Sequence, residues 1–384
     1  MNAEAGAYAG VRSIHVLGSQ ELSGAEQFFI RLVNALAQAG HPTLAVTRRS
    51  SPVSALLSNR VEQCHLPLAS KWDVWSRWRI NHLVHAWQPD VVQTYMGRAS
   101  RLTHLPASCE AVHVARLGGY YKVAGYYGHA DAWVGNTRDI CAYLEKEGLP
   151  AERIFHIGNF VPAPRPVAPE EIADRWNKLG LPAQARIIFA LGRLIEKKGF
   201  QDLLDAFARL PAQHDHHPLV LLVAGDGTQR AALGRQAAAL GIAARVFWLG
   251  WQEDPQPFYA MADAFVCPSR HEPLGNVILE AWTHRVPVLS TCNEGASQLI
   301  MPGRNGLLAP IANPVALADG MLRLLSLPPR QRQAMIEAGH ATAADEHGEQ
   351  AVVHAYLGLY RRLSRKGSAS RPGGRLRFVP GLPG

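Results

Sequence analysis

The chain's densest run of chemically able residues is PSRHEPLGNVILEAW, residues 268–282. Two carboxylates, Glu272 and Glu280, flank a Pro273–Leu274–Gly275 helix start that puts Glu280 on the helix itself. A helix start leaves backbone N–H groups unpaired and favours negative charge, so Gly275, Asn276 and Val277 suit a phosphate, while the carboxylates suit the hydroxyls of a sugar and a ribose. In ALGRLIEKKGF (190–200) a strand ends at Gly192 and a loop then supplies Arg193 and Lys198. Cations there can hold a diphosphate at the mouth of a parallel sheet. VAGDGTQR (223–230) is a second strand followed by a glycine-rich turn, in which Gly225 and Gly227 let backbone approach a ligand. Taken singly, each piece has a plainer reading as a solvated helix carboxylate, a turn cap, a surface charge or a tight turn. All of them fall at strand ends of one stretch of chain, and together they describe a site for a phosphate-bearing sugar.

The elements that must position these residues alternate throughout. Short β-branched runs followed by longer helical patterns are the mark of right-handed βαβ units around a parallel sheet. In the first half the pattern predicts strands at Val11–Leu17, Thr43–Thr47, Val61–Leu66, Asp90–Thr94, Ala111–Arg116 and Ala132–Val134. Helices are expected at Gly24–Ala39, around 72–87 and around 138–147. The segment FVPAPRPVAPE (160–170) carries four prolines and reads as an extended linker. Beyond it come strands at Arg186–Leu191, Leu219–Ala224, Val246–Leu249, Ala264–Cys267 and Val286–Ser290, with helices at 200–210, 228–240 and 275–284. The chain then reads as helical from 313 to about 365. The expected domains are 1–163, 164–345, a returning helix over 346–365 and a basic disordered tail over 366–384, with hinges at the linker and near 345–350. The fold class is α/β, two doubly wound Rossmann-like domains with a cleft lined by the carboxyl ends of both sheets.

GRLIEKKG, VAGDG, FWLGW, DAFVCPS and HEPLGNVILEA occur in an order that resembles the retaining glycosyltransferase family 4, strongly over 186–309 and more loosely elsewhere. The resemblance implies the GT-B fold, two facing Rossmann-like domains with a C-terminal helix crossing back. It implies that Arg193 and Lys198 bind the donor diphosphate and stabilise charge on the leaving group, that Glu272 contacts the donor sugar, and that Glu280 holds the ribose. Arg193, Lys198 and Glu272 are thus the catalytic candidates. Gly24, Gly192, Gly225, Gly227 and the backbone of Gly275, Asn276 and Val277 complete the donor set. Gly24 enters through Ser23-Gly24-Ala25-Glu26, which resembles the family's glycine loop. Transfer would retain anomeric configuration. The chain departs from the family at VHVARLGGYYK (112–122), where Gly118 falls at the place of a His common in the family. Gly118 and Gly119 are then expected to form an open acceptor floor, with Arg116, Tyr120, Tyr121 and Lys122 as candidates to bind an anionic or glycan acceptor. His113 reads as a core residue.

No D-x-D occurs, so no metal is expected, and no cofactor beyond the nucleotide-sugar substrate, a UDP-sugar ahead of a GDP-sugar. The function implied is hexosyl transfer to a glycan or lipid-linked acceptor in lipopolysaccharide or other cell-envelope polysaccharide synthesis. Two alternatives stay open: another GT-B enzyme such as a nucleotide-sugar epimerase, and a non-catalytic sugar-nucleotide-binding protein.

Composition narrows the partners. The formal charge of +8 over 384 residues divides into +3 for 1–163, −2 for 164–360 and +7 for 361–384. A body so near neutrality argues against nucleic-acid binding. Five dispersed cysteines without a C-x-x-C pair fit reduced, buried thiols, and the apolar runs are too short for a membrane span. A cytoplasmic location is expected, with peripheral association to the cytoplasmic face of an anionic inner membrane. Residues 71–87, KWDVWSRWRINHLVHAW, hold four of the nine tryptophans. Helical projection puts Trp72, Trp75, Leu83, Ala86 and Trp87 on the core stripe and gathers Lys71, Trp78, His82 and His85 on its flank, which suits either a membrane headgroup region or the decorated edge of a helix packed on the sheet.

Overall fold

A computed structural model describes residues 10–369 apart from Ser23 and Ala107, with side chains as far as residue 364. The chain divides into two compact units, Met1–Asn159 with Glu349–Gly384, and Phe160–Gly348.

The first unit runs β1 (Ser13–Leu17), α1 (Gly24–Gln38), β2 (Thr43–Arg48), β3 (Glu62–Leu66), α2 (Val74–Trp87), β4 (Val91–Tyr95), α3 (Met96–Leu102), β5 (Val112–Leu117), β6 (Ala132–Gly135), α4 (Arg138–Lys146) and β7 (Ile154–His156). Its sheet has the order β3-β2-β1-β4-β5-β6-β7, parallel throughout. Val16, Val46 and Val92 are wholly buried there, as strands covered on both faces require.

The second unit runs α5 (Pro169–Leu179), β8 (Arg186–Leu191), α6 (Phe200–Phe207), β9 (Gln213–His214), β10 (His217–Ala224), α7 (Arg230–Ala239), β11 (Val246–Gly250), α8 (Gln256–Met261), β12 (Ala264–Cys267), α9 (Asn276–Thr283), β13 (Val288–Thr291), α10 (Glu294–Leu299), β14 (Leu307–Ala309), α11 (Pro314–Leu325) and α12 (Pro329–His347). Its parallel order is β11-β10-β8-β12-β13-β14, with β9 antiparallel on β10. The last helix, α13 (Glu349–Ala369), returns to the first unit, where Tyr360 donates its hydroxyl to Gln93 on β4 at 2.6 Å.

The repeating strands fall where the sequence puts them to within a residue or two. The elements that periodicity misses are β7, β9, β14, α3, α8 and α10, each of seven residues or fewer and too short for a pattern to show, and the eleven-residue α5, which begins at Pro169 inside the segment read as linker.

The linker is a larger correction. The second unit opens at Phe160 and not at 164, because Val161 is buried in its core. The proline segment is held down by Arg165, which pairs with Glu171 at 2.9 Å and Asp254 at 2.5 Å, and whose backbone N–H meets Gln256 at 2.7 Å. The second unit ends at Gly348, between α12 and α13, and α13 carries helical backbone to Ala369, past the expected tail boundary at 366. The rest of the tail, 370–384, lies outside the described residues.

The tryptophan helix is corrected too. Asp73 caps α2 by accepting from Ser76 N–H at 2.9 Å, so Trp72 precedes the helix. The buried line is Ser76, Ile80 and Val84, spaced four apart. Leu83 and Trp87 pack at its edge, Ala86 is exposed, and Trp72, Trp75 and Trp78 are 67%, 48% and 57% exposed. Side-chain bulk misled the projection: the sheet accepts a small hydroxyl and two β-branched residues, and leaves the indoles outside.

The five cysteines are free, but only Cys267 is buried and Cys292 is exposed. His113 is a core residue as expected, wholly enclosed, with Nε2 against the Thr94 hydroxyl at 2.9 Å.

Candidate active site

In the second sheet β8 pairs with β10 on one side and β12 on the other, so the chain's direction of winding switches between β8 and β12. The loops that follow these two strands therefore diverge at the switch point, where open α/β sheets bind ligands. Gly192–Gly199 is one loop and Pro268–Gly275 the other.

Backbone stitches the two loops together. The Lys197 carbonyl accepts from both Arg270 N–H at 2.9 Å and His271 N–H at 3.1 Å. Gly199 has φ +66°, and a Cβ there would lie 2.0 Å from the Pro268 carbonyl oxygen, so only glycine permits the approach. Arg270 adds a two-pronged pair to Asp202 in the first turn of α6, both contacts at 2.7 Å. Across this seam Lys198 Nζ meets a carboxylate oxygen of Glu272. Both side chains are about five-sixths buried, at 17% and 16% exposure.

A second layer fixes Glu272. The Glu294 carboxylate takes the Glu272 N–H at 3.2 Å and His271 Nδ1 at 2.6 Å, and Gly295 N–H returns a bond to the Glu272 carbonyl at 2.8 Å. Burial alone would raise the Glu294 carboxyl, but hydrogen bonds from its own amide, His271 and Glu272 hold it below the usual range. Asn293 caps α10 by accepting from Ala296 N–H at 3.0 Å and reaches back to the Ser269 carbonyl at 3.3 Å. The loop is thus preorganised from beneath.

Gly275, at φ +82°, caps α9 and leaves the N–H groups of Asn276 and Val277 in its first turn. Further along α9, Glu280 accepts the Tyr259 hydroxyl at 3.2 Å. Tyr259 is buried and stacked on His284 at 4.8 Å, and burial, then Glu280, pushes its pKa up, so it stays a donor. Arg193 is exposed in the β8 loop.

The glycines after β10 differ from expectation. A Cβ at Gly225 (φ +123°) would lie 1.9 Å from the Gly192 carbonyl oxygen, and one at Gly227 2.5 Å from that of Leu194. What these glycines admit is the neighbouring loop's backbone, which fixes Gly192 and the segment carrying Arg193.

In the first unit Gly24 opens α1 and is exposed, while Ser23 lies outside the described residues. The expected open floor at Gly118 and Gly119 is corrected at Gly119. Gly118 is half-buried, but Gly119 is buried, and a Cβ there would touch the Tyr121 ring at 3.3 Å. Arg116 is buried and stacks over Phe28 at 3.9 Å, whereas Tyr120, Tyr121 and Lys122 are exposed.

The fold brings Lys198 to Glu272 and Gly192 to Gly225. Sequence reading missed Gly199, Asp202, Tyr259, Arg270, His271 and Glu294. Asn293-Glu294-Gly295 after a strand is a legible cap signature that could have pointed to α10.

Two Rossmann-like halves with the cation and carboxylate loops at a switch point define a GT-B glycosyltransferase. The chain matches Glycosyltransferase Family 4 over residues 22–165 and Glycosyl transferases group 1 over 172–342, and it belongs to this family. It is 35% identical over 338 residues to the lipopolysaccharide core biosynthesis glycosyltransferase LpsE of Rhizobium meliloti, covering 88% of this chain and 95% of that one. LpsD of the same organism, which carries the same description, is 33% identical over 341 residues, with 88% and 95% covered. Among solved structures, Anabaena HepE in complex with UDP and glucose superposes with a TM-score of 0.74 at 18% identity, covering 92% of this chain and all of that one. The protein is a glycosyltransferase related to those of lipopolysaccharide core synthesis.

Proposed function

We propose that the protein transfers a hexose from a nucleotide sugar, a UDP-sugar ahead of a GDP-sugar, to a glycan or lipid-linked acceptor of the lipopolysaccharide core or another envelope polysaccharide. The anomeric configuration is retained, and neither metal nor cofactor is required. The observation that carries this reading is the enclosed Lys198–Glu272 pair on the two switch-point loops. The names of the rhizobial relatives support the acceptor class, and the UDP and glucose bound by HepE support the donor class.

In this reading Lys198 and Arg193 hold the donor diphosphate, Asn276 and Val277 offer it the α9 N–H groups, Glu280 binds the ribose, and Glu272 binds the sugar. Gly24, at the start of α1, is assigned to the donor as well. The acceptor oxygen bonds to the anomeric carbon on the face from which the diphosphate leaves. The departing phosphate oxygen takes the acceptor's proton, so no separate base is needed. Lys198 and Arg193 stabilise the charge growing on that phosphate, the kind of term that contributes most to such reactions. An epimerase would need no acceptor; the relatives' names favour transfer.

The test is turnover with a panel of UDP-, GDP- and ADP-sugars and a lipopolysaccharide-core acceptor, with EDTA present and the product's anomeric linkage read by NMR. The expectation is a UDP-sugar, an unchanged rate in EDTA and a retained linkage. Inversion or loss of rate in EDTA overturns the mechanism, and sugar epimerised without acceptor overturns the transferase reading.

Peripheral association with the cytoplasmic face of an anionic membrane belongs to the same proposal. No helix among the described residues is long and apolar enough to cross a membrane. The exposed Trp72 lies under Lys71 at 5.4 Å and Arg101 at 5.1 Å, and Trp75 under Arg49 at 6.0 Å, a mixture suited to headgroups. Co-sedimentation with phosphatidylglycerol vesicles, reduced in Trp72→Ala/Trp75→Ala and absent with neutral vesicles, is expected. Equal recovery with both vesicle types would refute it.

A further inference from the structure

At the carboxyl end of β5 a buried cation meets a space with no side chain in it. Arg116 is 3% exposed, its face covered by Phe28 and one terminal nitrogen given to the Asn159 side-chain oxygen. Its Nε has no hydrogen-bond partner among the described residues, nor does the side-chain oxygen of Asn136, which follows β6 and is also buried. Gly118 sits between them. A Cβ at Gly118 would have Arg116 Nη1 at 3.4 Å and Asn136 Nδ2 at 3.6 Å, and no other atom beyond its chain neighbours within 4 Å. The notch is therefore walled by two nitrogen donors, and Gly118 is half-open to solvent.

The Tyr121 ring lies against the next residue, 3.3 Å from where a Cβ at Gly119 would be.

A guanidinium enclosed this far is costly unless its donors are used, and its planar fork matches a carboxylate or phosphate better than a neutral hydroxyl. An amide N–H alongside adds a second direction of approach. We propose that the Gly118 notch, with Arg116 and Asn136, is a subsite for an anionic substituent, a carboxylate or phosphate, on the sugar that accepts the transferred hexose. The assignment of this substituent to the acceptor rests on the reading that the second unit holds the donor.

Gly118 has ordinary backbone and room for a methyl, so it can be changed without unfolding the chain. The experiment measures binding of glucose 6-phosphate, glucuronate and glucose to the full-length protein, with UDP binding followed in parallel. In the parent and in Gly118→Ala, both charged sugars should bind about tenfold or more tightly than glucose, the worth of a charge-assisted hydrogen bond. Gly118→Asp fills the notch with its own carboxylate. It should abolish that preference, leave UDP affinity unchanged and raise Tm by about 2–4 °C. Arg116→Lys, which keeps the charge and loses the fork, should weaken the preference. A preference for one charged sugar alone distinguishes phosphate from carboxylate. Charged sugars that bind no better than glucose to the parent, or that keep their advantage in Gly118→Asp, overturn the proposal. Failure of UDP to bind the parent overturns the donor reading instead, and the Gly118→Asp comparison still stands or falls by itself.

Discussion

Lys198 and Glu272 lie 74 positions apart in the chain and close an ion pair across the seam between the loops after β8 and β12. The pair holds the cation that the donor diphosphate is expected to meet, and it couples that cation to the carboxylate expected on the sugar. Removing one partner strands the other's charge in a mostly enclosed place. Lys198→Ala and Glu272→Gln should each cost about 1–3 kcal/mol of stability, readable by urea unfolding, and should lower kcat/KM about a hundredfold or more. Full activity in Lys198→Ala would remove it from the donor site.

Gly225 and Gly241 separate steric need from backbone preference. Both have positive φ, but a Cβ at Gly225 would meet the Gly192 carbonyl oxygen at 1.9 Å while one at Gly241 (φ +70°) would meet nothing within 4 Å. Gly241→Ala should cost about 1 kcal/mol, and Gly225→Ala about 3 kcal/mol or more, or prevent folding. Equal costs, measured by urea unfolding, would contradict the interlocked loops.

The burial pattern of α2 makes an inverted prediction about size. Ile80→Ala, at a wholly buried position, should destabilise by about 2–4 kcal/mol, whereas Trp78→Ala should change stability by less than about 0.5 kcal/mol. Thermal unfolding of the two variants ranks them directly.

Acid should weaken the first unit through its histidines. Burial lowers the His15 pKa to about 3, and burial, with neighbouring His129 and nearby arginines, lowers that of His104 to about 4. His113 and His129 are also depressed, chiefly by burial. The unfolded chain would protonate all four near pH 6.5 while the folded chain resists, so the unfolded state binds more protons as pH falls. Stability is therefore retained above about pH 6.5 and declines from there toward pH 4. The slope should exceed the roughly 1.4 kcal/mol per pH unit of a single site, and urea titrations across that range would measure it. His113→Gln should flatten the curve.

By itself the sequence determined the two parallel sheets, the succession of their longer strands, and the loops that carry Arg193, Lys198, Glu272 and Glu280. Those are local properties: β-branched runs, helical spacing and glycine at strand ends act within a dozen residues. Tertiary structure decided what each residue touches. Whether Gly225 admits a ligand or the backbone of Gly192 depends on a neighbouring loop more than thirty positions away, and whether Trp72 and Trp75 enter the core depends on the shape of the sheet beneath Ser76, Ile80 and Val84. The enclosure of Arg116 beside an empty Gly118 likewise arises where β5, β6 and α1 converge. Periodicity along one element carries no information about the surface it meets, because that surface is assembled from segments distant in the chain.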